Sequence, residues 1–191
     1  TNVTDEEGHG EFCFKINGKK VFAMGSNWVP VDAFHSNDIN RLPKALELLD
    51  DLGCNITRCW GGNVYEDDFF FDFCDRHGIM VWQDFMFACS DIPEDDAGFV
   101  DACQKEIAYQ VCRLRNHPSL VYWCGGNEKT GSYGLKITKG DYFVDVILRG
   151  TVDNYDGTRP YGRQSPCSLT DVGNDRTSGE SHAGSYESSL I

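Results

Sequence analysis

Hydrophobic positions along this 191-residue chain change period several times, and each change marks an element. Residues 12–23, FCFKINGKKVFA, alternate: Phe12, Phe14 and Ile16 fall on one face, then Asn17-Gly18, then Val21 and Ala23. Asn-Gly between alternating runs predicts a hairpin, because both residues accept the positive φ angles of a tight turn. AMGSNW (23–28) predicts a first buried strand ending at Asn27 and Trp28. The period then lengthens. Asp38 as cap, with Leu42, Ala45, Leu46, Leu49 and Leu52 at helical spacing, predicts a helix over 38–52 that Gly53 stops. CNITRCW (54–60) reads as a strand. Residues 67–77 predict a second helix with Phe69, Phe70, Phe73 and Cys74 inward and Gly78 at its end. IMVWQDF (79–85) is the next strand, and the acidic loop SDIPEDDAG leads to a third helix carrying Phe99, Cys103, Ile107, Val111 and Leu114 on one face. Basic residues at 113 and 115 suit its C-terminal end, and Pro118 follows. SLVYWCGG (119–126) is a fourth strand, 141–152 a fourth helix and RPYGRQSP (159–166) a fifth strand; TSGESHAG (177–184) holds a short sixth.

Apolar strands alternating with helices predict a parallel sheet covered by helices. A doubly wound sheet would place a glycine-rich phosphate loop after its first strand, and GSNWVP stands there instead. A (β/α)8 TIM barrel puts chemistry at the C-terminal ends of many strands. Here those ends carry Asn27 and Trp28, Arg58 and Trp60, Asp84, and Asn127 with Glu128. The barrel is therefore the expected α/β fold. It is incomplete: a full barrel takes about 250 residues, and only five or six strands are legible. The expected division is residues 1–17, the end of a preceding β-sandwich or linker with the opening hairpin, and residues 18–191, the N-terminal portion of the barrel with its C-terminal part missing.

Composition changes this picture little. Apolar residues make up 40% and aromatic ones 13%, enough for a packed core. The net charge of −13 argues against nucleic acid or an anionic membrane as partner. No stretch is long enough to span a bilayer and no signal peptide opens the chain. The nine cysteines include no CxxC pair and sit mostly in apolar runs, which predicts free, buried thiols, no zinc site and a reducing cytoplasm. Asn55-Ile-Thr matches a glycosylation sequon, but Asn55 opens a strand, so the match is expected to be chance. The five histidines have no ligand spacing and the acidic loop fits no calcium template, so no metal or cofactor is expected.

Two tryptophans, an arginine, an aspartate, an amide and a glutamate at one end of a barrel suit a sugar, whose ring stacks and whose hydroxyls need donors and acceptors. Glycoside hydrolysis needs two carboxyl groups, one of them a buried acid. Glu128, following an apolar strand, is the candidate acid, Asn127 can bond a ring hydroxyl, and Arg58 can hold a carboxylate ionised. Each has a plainer reading: a solvated strand-end Glu128, Trp28 and Trp60 as core, Arg58 paired with Asp84, and Asp84 capping its loop.

Three runs, INGKKVFAMGSNWVPVDAF (16–34), RCWGGNVYEDDFFFDFCDRHGIMVWQDFMFAC (58–89) and RLRNHPSLVYWCGGNE (113–128), together resemble the β-mannosidases of glycoside hydrolase family 2. The resemblance covers most of residues 12–131, and more loosely RPYGRQSP and GESHAGS. It implies a retaining enzyme that removes terminal β-linked mannose from oligosaccharides or glycoconjugates, in a (β/α)8 barrel preceded by β-sandwich domains. Carried over by motif, Glu128 is the general acid/base, Asn127 binds the sugar at its 2-position, Arg58 orients the nucleophilic carboxylate and Trp60 contacts the mannose. Trp28, Asp84 and His182 line the pocket. Gly126 and Asn63 depart from the family pattern, which often has a polar residue and a glycine at those positions.

The family's nucleophile is a second glutamate on a later strand. Glu180 and Glu187 follow Glu128, and neither sits in such a motif. The expectation is a fragment carrying the acid/base but not the nucleophile, inactive alone, whose open barrel edge favours self-association. Three rivals stand beside it: a family 2 enzyme for another β-glycoside, a non-catalytic mannoside-binding module, and a structural or regulatory fragment with no ligand.

Overall fold

The computed structural model describes residues 2–4, 10–129, 139–167 and 179–182. Two short antiparallel ladders come first. Strand β1 (Asn2–Thr4) pairs with β2 (Gly10–Phe12), and β3 (Phe14–Ile16) pairs with β4 (Lys19–Val21). Asn17 and Gly18 turn the second hairpin with φ of 51° and 78°, as the Asn-Gly pair predicts. Ile16 faces solvent rather than joining Phe12 and Phe14 against protein.

The main sheet has five parallel strands in chain order: β5 (Gly25–Trp28), β6 (Ile56–Cys59), β7 (Met80–Asp84), β8 (Leu120–Cys124) and β9 (Tyr161–Gly162). Helices α1 (Leu42–Asp51), α2 (Asp68–His77) and α3 (Ala97–Leu114) fill the crossovers. A π-helical stretch, Phe143–Leu148, runs into α4 (Arg149–Tyr155) before β9. This is a partial (β/α)8 barrel, as the alternation predicts. Among the described residues, no helix is long and apolar enough to cross a membrane.

Strand alternation separates two cores. Cys59, Val81 and Trp123 face the helices, where they meet Leu46, Phe70, Phe71, Ile107, Val111 and Leu148. Ile56, Met80, Trp82, Tyr122 and Cys124 face the barrel interior, and Phe12, Phe14 and Val21 cover them. Phe12 lies 5.5 Å from both the Trp82 and the Tyr122 ring, so the opening hairpin closes part of the interior that further strands would otherwise flank.

Several local expectations shift. The first helix starts at Leu42, not Asp38. Pro43 sits in its first turn, where a missing N–H costs nothing, while Asp38 is buried in a preceding 3-10 turn, His35–Asn40. Leu52 is exposed just past the helix end. In α2 the inward face runs through Phe70, Phe71 and Cys74, so Phe71 takes the place expected for Phe69, which is exposed. Only Cys59, Cys74 and Cys124 are buried; Cys89 and Cys112 are exposed, because their runs end or turn outward there. Asn55 spends its amide on Phe22 O and Met24 N, tying the hairpin exit to β6.

Asp156 clamps the far end of the sheet. It accepts from Trp123 Nε1 at 2.9 Å, Arg159 Nη1 at 2.8 Å and Thr158 Oγ1 at 2.6 Å. Burial alone would raise this carboxyl, but those bonds outweigh it and hold it below its ordinary value. A depressed acid contributes stability above the unfolded-state pKa and loses it as pH falls through the folded one. Stability should therefore drop below about pH 4. Asp156→Asn should lower the midpoint near neutrality and flatten that drop, which urea titrations across the acid range would read.

Candidate active site

The C-terminal ends of the strands open onto a cavity of about 700 Å³, lined by Asn27, Arg58, Trp60, Trp82, Cys89, Asn127, Glu128, Glu180, Ser181 and His182. Ladder register explains the membership. Asn27, Arg58 and Trp82 stand side by side across β5, β6 and β7, all on the interior face.

Arg58 is the hub of the floor. Its Nε and Nη2 donate to the two oxygens of Asp84 at 3.2 and 2.7 Å, and Nη2 also donates to Asn127 Oδ1 at 2.9 Å. Asp84, fully buried, further accepts from Trp82 Nε1 at 2.9 Å and Gly61 N at 3.0 Å. Burial pushes the Asp84 carboxyl up against the pull of Arg58, and burial likewise opposes the Arg58 charge but is outweighed by Asp84, which holds the guanidinium above its ordinary value. Four donors converge on Asp84, so it acts as a carboxylate anchor. Because Arg58 can only donate, Asn127 must turn its carbonyl oxygen to it, and its NH2 group is left facing Cys89 Sγ at 3.4 Å and the cavity.

The Gly125–Glu128 segment is held on both sides after β8 ends. Gly125 N donates to Gly162 O, Asn127 N to Phe87 O and Glu128 N to Ser165 O, each at 2.8 Å. The glycines serve close approach as much as turning: a Cβ at Gly125 would lie 2.2 Å from Arg163 O, and one at Gly126, where φ is +143°, 2.4 Å from Phe87 O. Gly126→Ala is therefore expected to displace the Asn127-Glu128 pair, lowering both the unfolding midpoint and any turnover, and parallel thermal and kinetic assays would show the two losses together. Glu128 itself has φ of 51°, a left-handed conformation uncommon for a non-glycine residue.

From there the Glu128 carboxylate reaches His182 Nδ1 at 2.9 Å through Oε1 and accepts from Cys89 Sγ at 3.5 Å through Oε2. His182 Nε2 lies 2.8 Å from Ser165 Oγ, and Ser165 Oγ bonds Glu180 Oε1 at 2.7 Å. Glu180 also accepts from Cys167 N, and burial pushes its carboxyl above the ordinary range. The result is a chain from Glu128 through imidazole and hydroxyl to a second carboxyl. Chemically, the cavity offers aromatic walls in Trp60 and Trp82, donors in Asn127 and Arg58, and a hydrogen-bonded carboxyl able to exchange a proton with a bound hydroxyl or glycosidic oxygen.

Of the residues singled out in the sequence, Arg58, Trp60, Asn127, Glu128 and His182 meet in this cavity. Asp84 lies beneath it as the anchor of Arg58 rather than on its wall. Trp28 is displaced from the expected set. One position after the inward Asn27, it points to the helices, packs on Phe70 at 5.1 Å and donates to Glu66 Oε1 at 2.9 Å. Asn63 bonds the Trp28 carbonyl at 3.1 Å instead of reaching the cavity. Trp82, Cys89 and Glu180 are lining residues that motif reasoning did not supply. Trp82 was legible by parity, two residues before Asp84, whereas Cys89 and Glu180 arrive from irregular loops. Glu187 and most of the expected sixth strand lie outside the described residues; within them, Glu180 forms an antiparallel bridge with Cys167.

Comparison with known proteins agrees with this geometry. Residues 10–165 match the family described as glycosyl hydrolases family 2, TIM barrel domain. The chain is 41% identical over 170 residues to the β-mannosidase of Capra hircus, covering 81% of this chain and 19% of that protein. It superposes on the crystal structure of β-D-mannosidase from Dictyoglomus thermophilum with a TM-score of 0.89 and 38% identity, over all of this chain and 24% of that one. A Bacteroides uniformis β-glucuronidase 3 shares the fold at a TM-score of 0.64 and 18% identity, over 76% of this chain and 19% of that one. The chain thus spans about a fifth to a quarter of the length of its relatives.

Proposed function

Because the chain belongs to the TIM barrel domain of glycosyl hydrolases family 2, we propose that it carries the acid/base half of a retaining β-mannosidase site, acting on terminal β-linked mannose. One observation carries this reading: Glu128 stands at the end of β8 inside the cavity, bonded to His182 and next to the Asn127–Arg58–Asp84 relay. In the first half-reaction Glu128 gives its proton to the departing glycosidic oxygen. In the second it takes one from the incoming water. Asn127, held by Arg58, presents its NH2 group to the sugar, and Trp60 and Trp82 bound the ring.

Retention needs a second carboxylate about 5 Å from the first, acting as nucleophile. Glu180 is the other glutamate on the cavity wall, but its oxygens are occupied by Ser165 and Cys167 N, and a raised carboxyl suits a proton holder better than a nucleophile. Glu180 is therefore read as the residue that orients His182 through Ser165, with the nucleophile supplied by a glutamate outside the described residues. Mannose is preferred over other β-glycosides because the Capra hircus and Dictyoglomus thermophilum mannosidases stand at 41% and 38% identity and the glucuronidase at 18%.

A panel of nitrophenyl β-glycosides, with mannoside binding measured beside turnover, tests this. Mannoside-selective turnover by a protein that also carries the nucleophile, lost on Glu128→Gln with an alkyl β-mannoside run beside the panel, supports the enzyme. Binding without turnover on the 191-residue chain fits a missing nucleophile, and turnover that survives Glu128→Gln but disappears with Glu180→Gln overturns the assignment of the acid/base.

A further inference from the structure

On the opposite side of β5 from the cavity, three titratable side chains meet. A ring nitrogen of His35 and one carboxylate oxygen each from Asp38 and Glu66 all lie within 4.8 Å of one another. Asp38 is 2% exposed and Glu66 0%. His35 Nδ1 contacts Asp38 Oδ2 at 2.6 Å, and Trp28 Nε1 donates to Glu66 Oε1 at 2.9 Å. That leaves Asp38 Oδ1 and Glu66 Oε2 buried with no hydrogen-bond partner. No lysine or arginine pairs with either carboxylate among the described residues. Arg41 goes to Asp32, and Arg113 to Asp68 and the Glu66 backbone carbonyl.

Two buried carboxylates beside one imidazole are short of positive charge. Unpaired buried carboxylate oxygens are strongly disfavoured, and such groups are paired or coordinate metals. One imidazole with two carboxylates is a recurrent ligand set for divalent first-row ions, and the half-exposed His35 leaves a side from which water can complete the coordination. We propose that His35, Asp38 and Glu66 bind one divalent first-row metal cation. The ion joins the turn before α1 to the segment before α2. Through Glu66 and Trp28 it braces the end of β5, whose Trp28 carbonyl receives Trp60 N and Asn63 Nδ2. Its role is structural, and it lies behind the sugar cavity rather than in it. The sequence hid it because positions 35, 38 and 66 follow no ligand spacing.

Manganese is the suitable probe, because the nine cysteines bind Mn²⁺ poorly whereas they would compete for zinc. The chelator-treated chain is titrated with Mn²⁺ by electron paramagnetic resonance, and its thermal unfolding is followed with and without the ion. One saturable equivalent per chain is expected, together with a higher unfolding midpoint. His35→Ala alters a half-exposed side chain, and Glu66→Gln keeps an oxygen for Trp28, so both should stay folded by circular dichroism while weakening Mn²⁺ binding about tenfold or more. The proposal is overturned if the wild-type chain shows no saturable binding or if both folded variants bind as tightly as it does. It is equally overturned if stability depends on pH alone, unaffected by the ion, as a proton shared between Asp38 and Glu66 would give.

Discussion

In a protein that also carries the nucleophile, replacing Glu128 with Gln should lower the turnover of alkyl β-mannosides by about 10²–10⁴-fold while changing mannoside binding little. Glutamine fills the same space and can still meet His182 and Cys89, so the cavity keeps its shape and loses only a transferable proton. The effect should depend on the leaving group. A nitrophenolate departs without protonation, so the first step should survive better with nitrophenyl mannoside than with an alkyl or sugar leaving group. The alkaline limb of the kcat/KM profile, which reports the free enzyme's acid, should disappear in the variant. Measuring kcat/KM for both substrates over pH separates this from a structural role, which would lower both substrates alike and leave the pH profile in place. Equal losses on both would sink the acid/base assignment of Glu128.

The second large effect is expected at Asp84. Removing one partner of a buried ion pair leaves the other charge stranded, a loss of about 3–5 kcal/mol. Asp84 is fully buried and accepts four hydrogen bonds, so Asp84→Ala should fall in that range by urea unfolding. The double variant Asp84→Leu with Arg58→Met should cost less than the sum of the two single changes, since it strands no charge. Asp84→Asn keeps an acceptor and should be milder in stability yet still harm the site, because Arg58 then no longer fixes the Asn127 amide. If Asp84→Ala unfolds at the wild-type midpoint, the relay under the cavity does not hold the sheet together.

The order of strands and helices was legible because apolar periodicity survives without knowledge of neighbours: every strand of the parallel sheet falls inside its expected segment. Boundaries failed where tertiary demands overrode local preference. Asp38 has a capping side chain, but the chain buries it against His35 and begins the helix at Pro43's turn. The site was legible through its strand ends, with Arg58, Trp60, Asn127 and Glu128 all carried by motif. Trp28 was misplaced because strand-end position was read without parity: Trp28 pairs across the ladder with the helix-facing Cys59, and Asn27 with the inward Arg58. Cys89 and Glu180 were not legible, because loops 85–91 and 179–182 approach the cavity through long-range bonds such as Cys89 N to Asn127 O and Cys167 N to Glu180 O. The partners of His182 were hidden for the same reason.

The spatial order of the parallel strands is also their order along the chain. Each strand after β5 therefore finds the edge it needs already exposed by the segment made just before it. A nascent chain leaving the ribosome N-terminus first, at about 5–20 residues per second, can add one strand-helix unit at a time, each new strand pairing with the one made just before it. The opening hairpin is available from the outset to shield the first inward-facing aromatics. Growth in this direction keeps one unpaired edge at the tip, so a ribosome stalled between β8 and β9 would present that edge to chaperones, with Gly125 N still lacking the Gly162 carbonyl it bonds in the finished fold.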